Sequence, residues 1–159
     1  MNDWKIKIGV VCFFMFLVAF HGCTTGPAPQ AGVSTNTNEG ERIASIARTL
    51  IGTPYRFGGD SVDGFDCSGL VRYVHTQIGI KVPRSSRMLY QQSKKIPLDK
   101  LQAGDLLFFK ISDKKVSHVA IYLQNGHFIH APSASKSVST ANLDSRYWSQ
   151  RLIGAGRFW

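Results

Sequence analysis

At Gly104-Asp105 the apolar pattern of this chain changes period, and that change limits the folds open to it. Ahead of it, apolar residues recur every three or four positions, as on one face of a helix. Ile43, Ile46, Ala47, Leu50 and Ile51 form one such set, with Asn38 and Glu41 as a capping pair before them and Gly52-Thr53-Pro54 as the stop. Leu70, Val71, Val74 and Ile78 form the next, closed by Gly79, and a short helix over 86–92 follows. Past Gly104-Asp105 the apolar residues alternate or run continuously, which is the pattern of strands. Residues 106–109 read as a buried strand, 116–123 and 128–131 flank an Asn125-Gly126 turn, and 137–140 and 151–158 read as further strands. The stretch 96–101 reads as irregular and 142–148 as a turn or short helix. Helices first and antiparallel strands afterwards give an α+β class, not alternating βαβ units.

The first 22 residues stand apart from this pattern. Lys5 and Lys7 precede an apolar run from Ile8 to Phe20, short for a bilayer span and suited to a secretory core. Gly22 lies directly before Cys23, which resembles a bacterial lipoprotein signal in which the cysteine becomes the lipidated first residue. Phe20 and His21 depart from the residues usual there. The next stretch, TTGPAPQAGVSTNTNE, is small, polar and Pro-containing, and buries too little to fold, so it reads as a tether. The expected organisation is a lipoprotein signal peptide over 1–22, a flexible tether over 23–39 and one folded domain over 40–159. Thr24 lacks the aspartate that often retains lipoproteins at an inner membrane, which favours an outer membrane.

Export changes the cysteine inventory. Cleavage before Cys23 removes Cys12 and commits Cys23 to lipid, so Cys67 is left as a single free thiol with no disulfide partner. Cys67 lies in Phe65-Asp66-Cys67-Ser68-Gly69-Leu70-Val71, where Asp66 is a good N-cap for the helix that follows. The thiol therefore falls on the first turn, at the positive end of the helix dipole, where a lowered pKa is expected. The plain alternative is a small thiol packed as a hydrophobe.

Two histidines sit inside strand segments, His118 in Ser-His-Val-Ala and His130 in Ile-His-Ala. A catalytic thiol needs a base within hydrogen-bond reach, and the base needs an orienting group. Cys67, His118 and His130 supply the three types, with N–H groups at the helix start as oxyanion donors. His75 and His127 read as surface histidines. The same three residues are types that suit zinc, but they are dispersed without a short-spaced ligand pair, so no metal or other cofactor is expected.

The hairpin between these histidines has to satisfy a parity condition. A plain two-residue turn at Asn125-Gly126 pairs Gln124 with His127 and sends His118 and His130 to opposite faces. One extra residue, as an odd-length loop or a bulge with Leu123 opposite His127, returns them to one face as diagonal neighbours. Gly126 is then expected at positive φ.

The formal net charge is +9, but its basic residues are scattered, with Lys94-Lys95 and Lys114-Lys115 as the basic pairs outside the signal segment. No basic stripe interleaved with aromatics is present, so nucleic acid is not an expected partner. An anionic envelope polymer or membrane surface is the natural one for an exported chain. A monomer is expected.

Together these residues make a pattern similar to the NlpC family of bacterial cell-wall cysteine peptidases. GTPYRFGG, FDCSGLV, VPRSS, LQAGDLLFF, SHVAIYL and FIHAPSASKSV carry the resemblance, which runs from about Ile43 to Trp159. It implies a compact papain-like fold and a triad with Cys67, His118 and His130 at the matching positions. It also implies hydrolysis of peptidoglycan stem peptides, commonly between γ-D-glutamyl and a diamino acid. Tyr55 matches the family tyrosine near the active site, and Asp66 and Ser68 match positions that help recognise substrate. Two other readings remain open at this point: a non-catalytic wall-binding lipoprotein on the same fold, and a thiol acyltransferase.

Overall fold

The first helix, α1 (Thr35–Thr49), buries Ile43, Ala44 and Ala47, with Leu50 just past its end. It begins ahead of the cap expected at Asn38 and takes in the last residues of the segment read as tether. Ile51, expected on its buried face, is 48% exposed, because the chain has already left the helix. The computed structural model describes residues 35–111, 115–133 and 136–159. The signal segment, Cys23 and the tether up to residue 34 lie outside the described residues. No helix among the described residues is long and apolar enough to cross a membrane.

Two short strands, β1 (Asp60–Ser61) and β2 (Gly64–Phe65), then pair into a small hairpin that delivers the chain to α2 (Cys67–Thr76). Asp66 caps α2 and Gly79 follows it at φ +84°. The helix α3 (Ser86–Gln92) is capped by Ser85, which accepts from the Met88 N–H. The region after it is more regular than expected: Lys94–Ile96 forms β3 and Leu98–Lys100 a single 3-10 turn. There follow β4 (Leu106–Phe109), β5 (His118–Gln124), β6 (His127–His130), β7 (Ser139–Asn142), α4 (Arg146–Ser149) and β8 (Leu152–Arg157). The sheet order is β3-β8-β4-β5-β6-β7, with every neighbouring pair antiparallel, so the α+β class expected from the change of period is the class observed.

Strand β4 sits inside the sheet and is buried throughout, which is why its sequence is the unbroken apolar run Leu-Leu-Phe-Phe. Its alternate residues divide the core into two layers. Leu106 and Phe108 join Val119, Ile121 and Ile129 beneath α1 and α2. Leu107 and Phe109 join Ala120, Phe128 and Ala155 on the other face, covered by Trp148 and Leu152. The turn before β4 is held from beneath. Buried Asp105 accepts from Arg157 Nε at 2.6 Å, from Arg157 Nη2 at 2.8 Å and from the Gln102 N–H at 2.9 Å.

His75 is a correction. It was expected at the surface and is fully buried on α2, its Nδ1 2.8 Å from the Val71 carbonyl and its ring edge-on to Phe158. Burial lowers its pKa to about 4. The imidazole is thus neutral in the fold at pH values where an unfolded histidine binds a proton. Stability is complete above pH 6.5 and is lost as pH falls toward 4, because the unfolded chain then holds one more proton. Between pH 7 and 4.5 this one group contributes a loss of about 2–3 kcal/mol. Urea unfolding at the two pH values is the measurement. His75→Asn, which keeps a donor for the Val71 carbonyl without titrating there, is expected to lose that much less than the wild type on acidification. An equal loss would exclude His75 as the cause.

Candidate active site

The start of α2 is tied down by one carboxylate. Asp66 Oδ1 accepts from the Gly69 N–H at 2.7 Å, the Ser68 hydroxyl at 3.2 Å and Arg84 Nη1 at 2.9 Å. Its Oδ2 accepts from Arg84 Nη2 at 2.7 Å and the Gly58 N–H at 3.1 Å. Burial on its own would raise the Asp66 pKa, but the hydrogen bonds and charge of Arg84, with those of Gly69 and Ser68, hold it below the usual carboxylate range. Arg84 also donates to Ser68 Oγ at 2.9 Å and reaches the Gly59 carbonyl at 3.3 Å. Glycine is required at 69, because any Cβ there would run into the Gly59 carbonyl oxygen. The loop and the helix start are therefore locked face to face around Cys67.

Cys67 is half-buried, on the side of α2 that packs against β5. The lowered thiol pKa expected from the helix dipole is not what this environment produces. Burial pushes the thiol up, and the Asp66 charge adds to that, outweighing the N–H groups of Val119, Ser68 and Cys67 that pull the other way. Tyr55 beside it is also raised, by burial and then by the nearby thiol and Asp66.

The parity condition is met, by a different device from the one that places Leu123 opposite His127. Asn125 and Gly126 form a two-residue turn with φ of 51° and 75°, and Gln124 pairs with His127. The register then shifts, so that Tyr122 pairs with Phe128 and Ile121 with Ile129. Leu123 is the extra residue, a bulge inside β5 just before the turn. The shift brings His118 and His130 onto the same face, with His118 Nε2 3.0 Å from His130 Nδ1. Both are buried. His118 is lowered to about 3, by burial and then by His130, and His130 to about 4, by burial and then by Lys136. Trp148, on α4, stacks on His118 at 5.7 Å between centroids and stands edge-on to His130 at 4.8 Å.

Two hollows adjoin these groups. One, of about 520 Å³, is lined by Tyr55, Phe57, Asp66, Cys67, Ser68 and Arg84. The other, of about 410 Å³, is lined by His118, His130, Lys136, Ser139, Tyr147 and Trp148. Every residue singled out in the sequence for the folded domain, namely Cys67, His118, His130, Tyr55, Asp66 and Ser68, lies at one hollow or the other; Cys23 lies outside the described residues. Sequence reasoning missed Arg84 and Trp148. The Arg in Val-Pro-Arg-Ser-Ser was the available signal for the first, whereas nothing local marks Trp148. Among the described residues no three His, Cys, Asp or Glu side chains stand close enough to hold a metal ion.

The NlpC/P60 family model matches residues 52–157. The chain belongs to the NlpC/P60 family. It is 38% identical to the murein DD-endopeptidase MepH of Escherichia coli (strain K12) over 112 residues, 67% of this chain and 41% of that protein. It is 33% identical to the gamma-D-glutamyl-L-lysine dipeptidyl-peptidase of Bacillus subtilis (strain 168) over 127 residues, 79% of this chain and 43% of that one. The chain thus spans less than half the length of either relative. The crystal structure of an NlpC/P60 family protein from Bacillus cereus ATCC 10987 aligns with a TM-score of 0.71 at 32% identity, over 75% of this chain and 40% of that one.

With the thiol raised and the imidazole lowered, both groups of the resting NlpC/P60 site are neutral, not charged. Iodoacetamide alkylation, followed by mass spectrometry of the Cys67 peptide, is therefore expected to be slow from pH 5 to 7. It should rise about tenfold per unit above pH 8, since the thiolate is the reacting form. A fast rate already flat from pH 5 would show a preformed thiolate–imidazolium pair.

Proposed function

We propose that this protein is a cysteine endopeptidase of the bacterial cell wall, hydrolysing peptidoglycan stem peptides between γ-D-glutamyl and a diamino acid. The observation that carries the reading is the 3.0 Å His118–His130 contact, with a thiol at the start of the helix that packs against the strand opened by His118. Membership of the NlpC/P60 family supports it, as do the names of the two relatives, one of which specifies a γ-D-glutamyl bond.

In this mechanism His118 Nε2–H donates to His130 Nδ1, which leaves the Nδ1 lone pair of His118 free as the base. As Cys67 Sγ bonds to the substrate carbonyl carbon, His118 takes the thiol proton, and N–H groups at the start of α2 receive the developing oxyanion. The same proton then passes to the amine nitrogen as the C–N bond breaks, leaving a thioester on Cys67. Water, deprotonated by His118, attacks the thioester, and the thiol is regenerated as the acid leaves. Tyr55, Ser68 and Arg84 line the wall that receives the acyl part. Asp66 acts through Arg84 and Ser68, since both its oxygens already accept hydrogen bonds.

Digestion of purified sacculi with products identified by mass spectrometry tests the reading. Cys67→Ala and His118→Ala are each expected to abolish release of stem-peptide fragments while the fold stays intact. His130→Ala should be milder, and His130→Asn milder still, because an amide can also accept from His118. Wild-type release by Cys67→Ala would end the proposed mechanism.

We also infer that the chain is exported, cleaved before Cys23 and lipidated there, so that the tether holds the domain at the periplasmic face of an outer membrane. The support is the Lys5–Gly22 segment and the polar tether. Two or three acyl chains give stable anchoring where one is marginal. Mass spectrometry of the mature N-terminus from a Gram-negative host is expected to find acylated Cys23, and an unmodified terminus at any other residue removes the claim.

A further inference from the structure

The two hollows differ in the cations they offer, and the difference bears on which diamino acid the site accepts. On the Cys67 side the guanidinium of Arg84 is engaged: its Nη atoms hold Asp66, and its Nε lies 4.0 Å from Asp60. On the histidine side stands Lys136, exposed and with no ion pair among the described residues. Its charge reaches His130, whose pKa it helps to lower. No carboxylate is among the described residues lining that hollow, whose other polar side chains carry hydroxyls, imidazoles and the Trp148 indole.

Lys136 is also held in place. The Tyr55 N–H donates to its carbonyl at 2.8 Å, Pro54 and Ser137 form a bridge, and the Val138 N–H donates to Thr53 at 2.8 Å. The backbone of Lys136 is thus pinned to the loop that supplies Tyr55 to the other hollow. The hollows themselves are walled by consecutive residues, Ser117 on the Cys67 side and His118 on the other.

Proton transfer decides which part of the substrate lies where. His118 gives its proton to the departing amine, so the amine and the residue that bears it must lie on the imidazole side. We propose that the hollow of His118, His130, Trp148 and Lys136 is the leaving-group subsite, and that Lys136 makes it select a diamino acid whose side chain ends in a carboxylate-bearing carbon over one ending in a bare ammonium. This rests on the reading of the protein as a stem-peptide hydrolase. The two leaving groups share the attacked amine and differ at the far end. One presents a carboxylate beside its ammonium, which Lys136 can pair; the other presents the ammonium alone, which Lys136 repels.

The test uses two probes, L-alanyl-γ-D-glutamyl-meso-diaminopimelate and L-alanyl-γ-D-glutamyl-L-lysine, with the full chain. Wild-type kcat/KM is expected to favour the diaminopimelate probe by about tenfold, the scale of one partly exposed ion pair together with removal of one like-charge contact. The ratio should fall to about one in Lys136→Gln and invert in Lys136→Glu. Calorimetric titration of Cys67→Ala with the same probes should give the same order in Kd without turnover. Equal kcat/KM for the two probes in the wild type, or a ratio unmoved by Lys136→Glu, overturns the assignment of Lys136. Absence of cleavage with the binding preference intact overturns the hydrolase reading while supporting the subsite. Absence of both overturns the two together.

Discussion

One residue too many in β5 is the constraint on which the candidate site depends. Side chains in a strand alternate faces, so without the bulge at Leu123 the tight Asn125-Gly126 turn would put His118 and His130 on opposite sides of the sheet. The bulge sits where it disturbs little. It lies one residue from the turn, leaves the β4–β5 register continuous from Leu106↔Ile121 to Phe109↔His118, and keeps Leu123 in the core. With it, both imidazoles fall on the Phe109–Phe128 layer, where Trp148 covers them. They are on the face away from α1 and α2, and Cys67 meets β5 from the helix side, where the Val119 N–H faces its sulfur. The Cys67 wall and the histidine wall thus adjoin at the start of β5, Ser117 lining the one and His118 the other.

The electrostatics of the two walls follow from what each buries. Around Asp66 every charge is answered: Asp66 by Arg84, and Asp60 by Arg72 at 3.1 Å. Such a set fixes geometry more than it adds stability, since Asp60 and Arg72 are about half exposed. Around the histidines burial dominates and keeps the rings neutral. A neutral thiol and a neutral imidazole cost less in these desolvated settings than a thiolate and an imidazolium. The helix dipole was a sound local argument for Cys67, but it is a sub-kcal effect at an exposed first turn, and desolvation is the larger influence once the sulfur packs against β5.

What could be read from the residues beforehand was whatever depends on near neighbours. The Asp66 cap, the bounds of α3, the unbroken β4 run and the Asn125-Gly126 turn are set within a few positions of chain, and all four were legible. The need for an extra residue between His118 and His130 was also legible, because parity is arithmetic; its location at Leu123 was not, because a bulge can sit at either side of a turn. Burial of His75 could not be read at all. Its position on α2 is polar by type, and part of what covers it, Phe158, comes from the far end of the chain. Arg84 and Trp148 share that property, being 18 residues from Asp66 and 30 from His118 along the chain, so no local pattern ties them to the site. The start of α1 belongs to a third kind of difference: polar residues without an apolar face read as tether, yet a helix already nucleated by buried Ile43 and Ala47 extends backwards through them.

An imidazole in the orienting position carries a condition that an amide or carboxylate would not. His130 can accept from His118 only while its Nδ1 keeps a lone pair, and protonation there would turn the contact into two donors facing each other at 3.0 Å. Burial beneath Trp148 and Phe128 is the first safeguard, since it disfavours the charged ring. The Lys136 ammonium is the second, because a cation at the mouth of the hollow raises the cost of a second positive charge behind it. A carboxylate arriving beside Lys136 would offset part of that second effect, yet it would also close the hollow to water and deepen the first. The two changes oppose each other, so the orienting bond can persist through substrate binding. On the proposed assignment, one lysine would then face an anionic leaving group without disturbing the histidine pair next to it.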